Sequence, residues 1–166
     1  TVHIPVPDVK RPLALPELAT VKENNDDKGQ GRVKVAFDWQ KNGKTTNWIR
    51  VQTPNAGVSG AVPKNRGWVF VPEVGDQVMV SYEHGNPDRP YVTGSVFHSG
   101  SGKGGDKDNK VKSIITRSGN AIVFDDETGS IVITDQTGKQ LIMLDGTDAI
   151  TVMAKKSITL TNEAES

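Results

Sequence analysis

Residues 118–161 decide the fold: SGNAIVFDDETGSIVITDQTGKQLIMLDGTDAITVMAKKSITLT. The stretch holds five short segments in which the leading residue and the residue two positions later are apolar. The leading positions are 122, 131, 141, 150 and 158. The apolar pairs are Ile122/Phe124, Ile131/Ile133, Leu141/Met143, Ile150/Val152 and Ile158/Leu160. Because turn residues separate the segments, the pattern predicts a solenoid-like array of five β-rungs.

This array predicts an oligomer. Each rung offers about two inward side chains, and one layer of short strands buries too little apolar surface to be stable alone. Three identical chains wound around one axis supply the missing core and close the open strand edges. The ten apolar residues named above are therefore the predicted trimer core. An ordinary β-meander packed on the preceding domain is the alternative that the spacing leaves open.

Residues 29–98 contain several short alternating segments and no helical period. The first two, at 31–37 and 48–53, are joined by the turn signal Asn42-Gly43. Three more follow at 67–72, 77–82 and 91–97. Five or six short strands over about 70 residues predict a small closed barrel.

Two further segments complete the predicted organisation. Residues 1–28 begin with Pro5, Pro7, Pro12 and Pro16, a density that disfavours helix and central strand, so we expect an extended arm lying along a neighbour. Residues 99–110 form a polar Gly/Ser/Lys linker. The β-helix repeats then occupy residues 111–166. Since the chain starts within an arm and without Met, we interpret it as a fragment of a longer protein.

Composition narrows the classes of function. The formal net charge is +0, with 20 basic and 20 acidic residues, whereas a general nucleic-acid binder usually carries a basic excess. The absence of cysteine excludes disulfides and thiolate metal sites. The sequence has no run of about 18 apolar residues, so it does not predict a transmembrane helix. The beginning of the sequence does not have the pattern of a secretory signal peptide.

Several motifs resemble catalytic or binding sites, and each has a simpler interpretation. A possible phosphate loop at Gly100-Ser101-Gly102-Lys103 lacks the first Gly and the final Ser/Thr of that motif. The residues around Ser59 resemble a nucleophile elbow but lack its last Gly. His3, His84 and His98 are not at metal-ligand spacing. Asp125-Asp126-Glu127 lacks EF-hand spacing and is interpreted as a solvated turn. We therefore predict no catalytic, cofactor or metal residue, and no enzyme.

Nucleic-acid binding is the alternative function. Trp39, Trp48 and Trp68 are candidate stacking platforms for single-stranded nucleic acid, as in other barrels of this size. The neutral charge instead favours packing of these side chains in a core or an interface. A carboxylate pair for glycoside hydrolysis is also conceivable from composition. However, the dozen residues of the linker are too few for an inserted catalytic domain.

A family resemblance covers about residues 29–162. Its segments are 31–39 (GRVKVAFDW), 48–54 (WIRVQTP), 72–80 (PEVGDQVMV), 85–96 (GNPDRPYVTGSV) and 118–126 (SGNAIVFDD). Their order and spacing resemble the valine–glycine-repeat (VgrG) spike proteins of type VI secretion and the related spikes of contractile phage tails. Any one segment alone is a weak signal, whereas the Gly-Asn-Pro-Asp-Arg-Pro turn followed by an apolar strand is specific.

The resemblance implies an OB-fold barrel followed by a short triple-stranded, trimeric β-helix. It implies a structural part of a cell-puncturing spike that caps tail-tube rings and carries a tip protein or effector. Such a machine assembles on a cytoplasmic baseplate, is secreted, and pierces the target membrane mechanically. The larger base domains of family members are missing here, and no recognisable tip follows the last rung.

Overall fold

The computed structural model describes residues 11–102 and 104–161, and these residues are all-β apart from one 3-10 turn at Glu83–Gly85. The chain divides near residue 102 into two compact units. Each unit has its own antiparallel-rich sheet. Within the described residues, no helix is long and apolar enough to cross a membrane. The all-β class expected from the sequence is therefore confirmed.

The first unit is a five-stranded sheet that curls into a small barrel. Its strands are β1 (Glu17–Glu23), β2 (Lys34–Phe37), β3 (Arg50–Val51), β6 (Gln77–Tyr82) and β7 (Pro90–Ser95), in the order β2-β1-β6-β7-β3. A small hairpin of β4 (Ala56–Gly57) and β5 (Arg66–Gly67) lies apart from this sheet. An isolated antiparallel bridge between Val33 and Ile49 connects the segments leading into β2 and β3. Because β2 and β3 are the two edges, this bridge brings the sheet back onto itself.

Strand alternation builds the barrel core. Side chains at every second position point to one face of a strand, and here those positions carry Val, Ile, Ala or Phe. Nine side chains are buried in this way: Ala19, Val21, Val33, Val35, Phe37, Ile49, Val78, Val80 and Val92. Asn42 and Gly43, which both have positive φ, form the tight turn that the Asn-Gly signal predicts.

The structure corrects the expected arm at residues 1–28. Glu17–Glu23 is a strand lying between β2 and β6, with Ala19 opposite both Phe37 and Val78. The expectation was wrong for these residues because the prolines stop at Pro16, and the alternation of Leu18 to Val21 then favours a strand. Residues 11–16 precede β1 without regular structure, and the Ala14 amide donates to the Gly85 carbonyl at 2.8 Å. Residues 1–10 lie outside the described part of the chain.

The second unit is a five-stranded antiparallel meander. Its strands are β8 (Val111–Ile115), β9 (Ala121–Asp125), β10 (Ser130–Thr134), β11 (Leu141–Leu144) and β12 (Ile150–Met153), paired in chain order. Four of the five predicted rungs are therefore strands of one chain's sheet. The fifth, at 157–161, carries no strand. Residues 162–166 of the predicted repeat region lie outside the described residues.

Candidate assembly face of the C-terminal sheet

The strand register places nine apolar residues of the second unit on one face of the sheet. Residues directly opposite each other on neighbouring strands share a face of the sheet. Ile122 is opposite Ile114 on β8 and Ile133 on β10. Ile133 is in turn opposite Ile142 on β11, and Ile142 is opposite Val152 on β12. A second row runs parallel to it through Phe124 and Ile131. We call the combined set the apolar face: Ile114, Ile122, Phe124, Ile131, Ile133, Ile142, Leu144, Ile150 and Val152.

The second unit does not cover this face. No residue between 104 and 161 is buried in the chain alone, whereas the first unit buries nine apolar side chains. Ile150 is 72% exposed and Val152 is 50% exposed. A contiguous exposed apolar surface of this kind is typical of an interaction site in a soluble protein.

The opposite face has a mixed composition. Ser113, Ser130, Thr134 and Thr151 lie there with aliphatic neighbours. The aliphatic and methionine side chains on it are Val111, Ile115, Ala121, Val123, Val132, Leu141, Met143 and Met153. Hydroxyl groups interrupt the apolar rows on this side, whereas on the apolar face Lys112, opposite Phe124, is the polar residue at the edge of one row.

The register places eight of the ten predicted core residues in strands but divides them between the two faces. Ile122, Phe124, Ile131, Ile133, Ile150 and Val152 lie on the apolar face. Leu141 and Met143 lie on the opposite face, because Met143 pairs with Val132 and Leu141 with Thr134. Ile158 and Leu160 lie beyond β12, and Leu160 is 93% exposed.

Sequence reasoning missed Ile114, Ile142 and Leu144 as members of the apolar face. Leu141 to Leu144 are four apolar residues in a row, so alternation alone does not reveal which pair faces which side. The spacing of the leading positions does not resolve this. A separation of 9 residues keeps the face between Ile122 and Ile131 but changes it between Leu141 and Ile150. Ile114 was missed because the polar Lys112 and Ser113 obscure the alternation of β8.

Aspartates at ten-residue intervals organise three of the turns. Asp125, Asp135 and Asp145 each follow or end a strand, and each accepts a hydrogen bond from the amide two residues later. Hydrogen bonds to the charged carboxylate favour that form and lower the pKa. The pKa of Asp135 is lowered first by the Thr137 hydroxyl, which donates at 2.6 Å. The Thr147 and Glu127 amides are the main causes of the lowered pKa of Asp145 and Asp125.

The turns at one end of the sheet are closely apposed. Gly146 has φ +81°, and a Cβ built there would lie 2.1 Å from the Thr128 carbonyl oxygen. Only glycine permits this approach without moving the backbone. At the opposite end, the Gln136 amide donates to Asn120 Oδ1 at 3.0 Å. These contacts fix neighbouring hairpins relative to each other and so hold the register that forms the apolar face.

The three tryptophans occupy separate environments in the first unit. Trp39 stacks on Phe37 with ring centroids 5.3 Å apart, and its indole N–H donates to Glu17 Oε2 at 2.8 Å. Trp39 is 64% exposed and Trp68 is 52% exposed, which rules out core packing within the unit for both. Trp68 lies near Phe70, with centroids 6.1 Å apart.

The cations beside Trp48 are engaged with carboxylates. Lys34 Nζ lies 4.8 Å from the centroid of the Trp48 ring and also 2.9 Å from Glu23. Arg32 lies over the same ring and forms a two-point ion pair with Asp26, whose pKa it holds far below the usual range. A phosphate backbone would have to compete with these carboxylates, so the arrangement does not favour nucleic-acid binding.

The other motifs have local structural roles. The His98 ring accepts a hydrogen bond from the Gly100 amide, and Ser101 donates to the His98 carbonyl, so 98–101 is a tight turn. Ser59 Oγ accepts from the Val62 amide within a loop. Among the described residues, no three His, Asp or Glu side chains are grouped so as to hold a metal ion. His3 and Lys103 lie outside those residues.

Comparison with known proteins identifies the first unit. Residues 17–97 match the family described as the type VI secretion system/phage-baseplate injector OB domain. The matched segment begins at Glu17, which is also the first residue of β1 and of the barrel. The first unit is therefore similar to the OB domain of these injectors, as the resemblance implied, and is called the OB domain below.

Spike proteins are among the relatives. The chain is 37% identical over 99 residues to the type VI secretion system spike protein VgrG1a of Pseudomonas aeruginosa, covering 57% of this chain and 14% of that protein. It is 34% identical over 111 residues to spike protein VgrG3 of Vibrio cholerae, covering 60% and 10%. A relative named actin cross-linking toxin VgrG1, also of Vibrio cholerae, is 29% identical over 99 residues. The match covers 57% of this chain and 8% of that protein. The chain is similar to these VgrG proteins over about 60% of its residues and spans about a seventh or less of their length.

Proposed function

We propose that this chain is a structural part of a cell-puncturing spike, in which three copies associate through the apolar face of the C-terminal sheet. The observation that carries the proposal is that nine apolar side chains form one uncovered face on a sheet with no buried residue of its own. Each such side chain, once fully buried, contributes about 1.5–3 kcal/mol. Association is thus the step that supplies this sheet with a core.

The proposed role assigns separate tasks to the parts of the chain. The OB domain is the independently folded part of the spike, and the repeats from 111 onward form the start of the trimeric β-helix. Tail-tube rings at the base, a tip protein or effector at the far end, and assembly on a cytoplasmic baseplate before secretion belong to the same proposal. The predicted role of these residues is mechanical rather than enzymatic, because a force-transmitting rod needs stiffness instead of a reactive group.

The solution mass of the purified chain, measured by light scattering at several concentrations, tests the proposal. We expect about three times 17.9 kDa for the parent chain. Ile131→Asp places a charge at the centre of the apolar face and should yield monomers, as should Ile150→Asp. Val132→Asp is the matched control, because the adjacent residue of the same strand lies on the opposite face and the variant should retain the parent mass.

Two results would contradict the proposal. One is a monodisperse monomer of the parent chain in which residues 111–153 are cooperatively protected from hydrogen exchange, since the sheet would then be stable without a partner. The other is equal loss of mass in the Ile131 and Val132 variants, since association would not depend on the apolar face.

A further inference from the structure

The two ends of the C-terminal sheet, where its strands turn, carry opposite charge. One end comprises residues 106–112, 125–130 and 145–149, and we call it the acidic end. Its parts are adjacent because the Asp126 amide donates to the Lys110 carbonyl and Gly146 packs against Gly129. The other end comprises 116–120, 135–140 and 154–156, and we call it the basic end. The bond from the Gln136 amide to Asn120 joins its first two turns.

The charge difference is large for a sheet of this size. The acidic end holds seven carboxylates and three lysines: Asp106, Lys107, Asp108, Lys110, Lys112, Asp125, Asp126, Glu127, Asp145 and Asp148. Two of those lysines are already paired, Lys110 with Glu127 at 2.8 Å and Lys112 with Asp126 at 2.5 Å. The basic end holds Arg117, Lys139, Lys155 and Lys156 with a single carboxylate, Asp135. Most of these side chains are exposed and therefore accessible to a partner.

We propose that the basic end of one copy lies against the acidic end of the next copy, so that charge fixes the direction in which the sheets are arranged around a common axis. The partner is a second copy of this chain, because the same sheet supplies both complementary surfaces and the apolar face between them. This inference rests on the proposed function, since it concerns copies that associate through that face. It adds the determinant of their relative orientation.

Geometry explains why the charges select one arrangement. When the strands of each sheet run around the axis and all sheets point the same way, each basic end meets an acidic end, which is a heterologous, ring-closing contact. When one sheet is turned end for end in its own plane, its apolar face still points inward, but acidic ends meet acidic ends and basic ends meet basic ends. Apolar side chains tolerate both arrangements, whereas like charges disfavour the second. The charged ends thus provide specificity and faster association more than added affinity.

Charge reversal at each end, alone and together, tests this inference. The basic-end variant is Lys155→Glu/Lys156→Glu and the acidic-end variant is Asp108→Lys/Glu127→Lys/Asp148→Lys. At about 50 mM salt, where exposed charges are weakly screened, each should weaken self-association on the order of tenfold or more. The five-residue combination reverses the sign of the net charge at each end and should restore association, because opposite charges meet again. Lys41→Glu/Lys44→Glu, in a loop of the OB domain, controls for net charge.

Sedimentation velocity at about 50 mM and about 500 mM salt gives the readout. We expect the two single-end variants to recover as salt rises and the combined variant to associate at both concentrations. Self-association of the single-end variants equal to that of the parent at low salt would overturn the charge inference while leaving the apolar face in place. Failure of the combined variant to recover would also overturn it. A monomeric parent at both salt concentrations would overturn the proposed function and this inference together.

Discussion

At the scale of single residues, two glycines of the C-terminal turns allow two contributions to stability to be measured separately. One is the cost of a left-handed backbone, and the other is the cost of a steric clash with an added side chain. Gly138 has φ +68° with nothing within 4 Å of an added Cβ, whereas Gly146 has φ +81° and the Thr128 oxygen in the way. Gly138→Ala should cost about 1 kcal/mol through the left-handed backbone alone. Gly146→Ala should cost at least about 1 kcal/mol more, since the hairpins must also move apart.

Thermal unfolding of the assembled chain by calorimetry compares the two variants. Hydrogen exchange of residues 141–153 locates the damage, because the Gly146 variant should lose protection mainly in β11 and β12. Equal midpoints for the two alanine variants would mean that the close approach of the hairpins does not contribute to stability.

The turn aspartates predict a dependence of stability on acid. The pKa values of Asp125, Asp135 and Asp145 are lower in the folded chain than the usual 3.8. The folded state therefore binds these protons less readily than the unfolded state does. The resulting stabilisation is complete above about pH 4, and it is lost as the pH falls below the usual value and through the folded pKa.

Asp135→Asn tests this dependence. It should lower the unfolding midpoint at pH 7 and make the midpoint less sensitive between pH 5 and pH 3, as followed by far-ultraviolet circular dichroism. Asp148→Asn is the control, because the amides of its turn bind Asp145 instead. An unchanged acid profile in the Asp135 variant would show that its hydrogen bonds to the turn do not stabilise the sheet.

At the scale of strands, the register of β11 provides a direct test of which side chains enter an interface. Ile142→Asp should yield monomers, because Ile142 lies between Ile133 and Val152 on the apolar face. Met143→Asp, one residue later, should leave the mass of the assembly unchanged. Light scattering of the two variants decides between this register and the sequence-based assignment. Monomers from Met143→Asp alone would restore the original assignment of Leu141 and Met143.

The sequence predicted strands well where turn residues bound a short apolar segment on both sides. The prediction for 77–82 matches β6, and that for 121–125 matches β9. It failed where the alternation is short or broken. In the segment around 67–72, only Arg66–Gly67 pairs as a strand. Strand β1 was not predicted because four prolines precede it in the sequence. Local pattern reveals which residues alternate, but partners far along the chain decide which segments pair.

The candidate site was predictable in kind but only partly in detail. The need for a partner followed from the thinness of the repeats, and six of the ten named residues share one face. Which face Leu141 to Leu144 present depends on turn length, and turn length sets register only when the pairing partner is known. Ile158 and Leu160 continue the repeat beyond β12, and their place in the trimer core stays a prediction.

At the scale of the whole molecule, the two units differ in where their stability comes from. The OB domain buries Val33, Val35 and Val80 completely within one chain. The C-terminal sheet buries nothing comparable, so its folding and its association are expected to be one event. A domain with its own core and a sheet that needs its neighbours are suited to successive steps of assembly, in which the barrel folds first and the sheet afterwards.

The distribution of aromatic residues gives these two events separate optical signals. All three tryptophans and both tyrosines, Tyr82 and Tyr91, belong to the barrel, and the sheet has only Phe124. Intrinsic fluorescence of this protein is consequently silent about the sheet, while circular dichroism reports both units. A chain whose sheet has come apart would still emit as a native protein, and a purification judged by fluorescence alone would count it as intact.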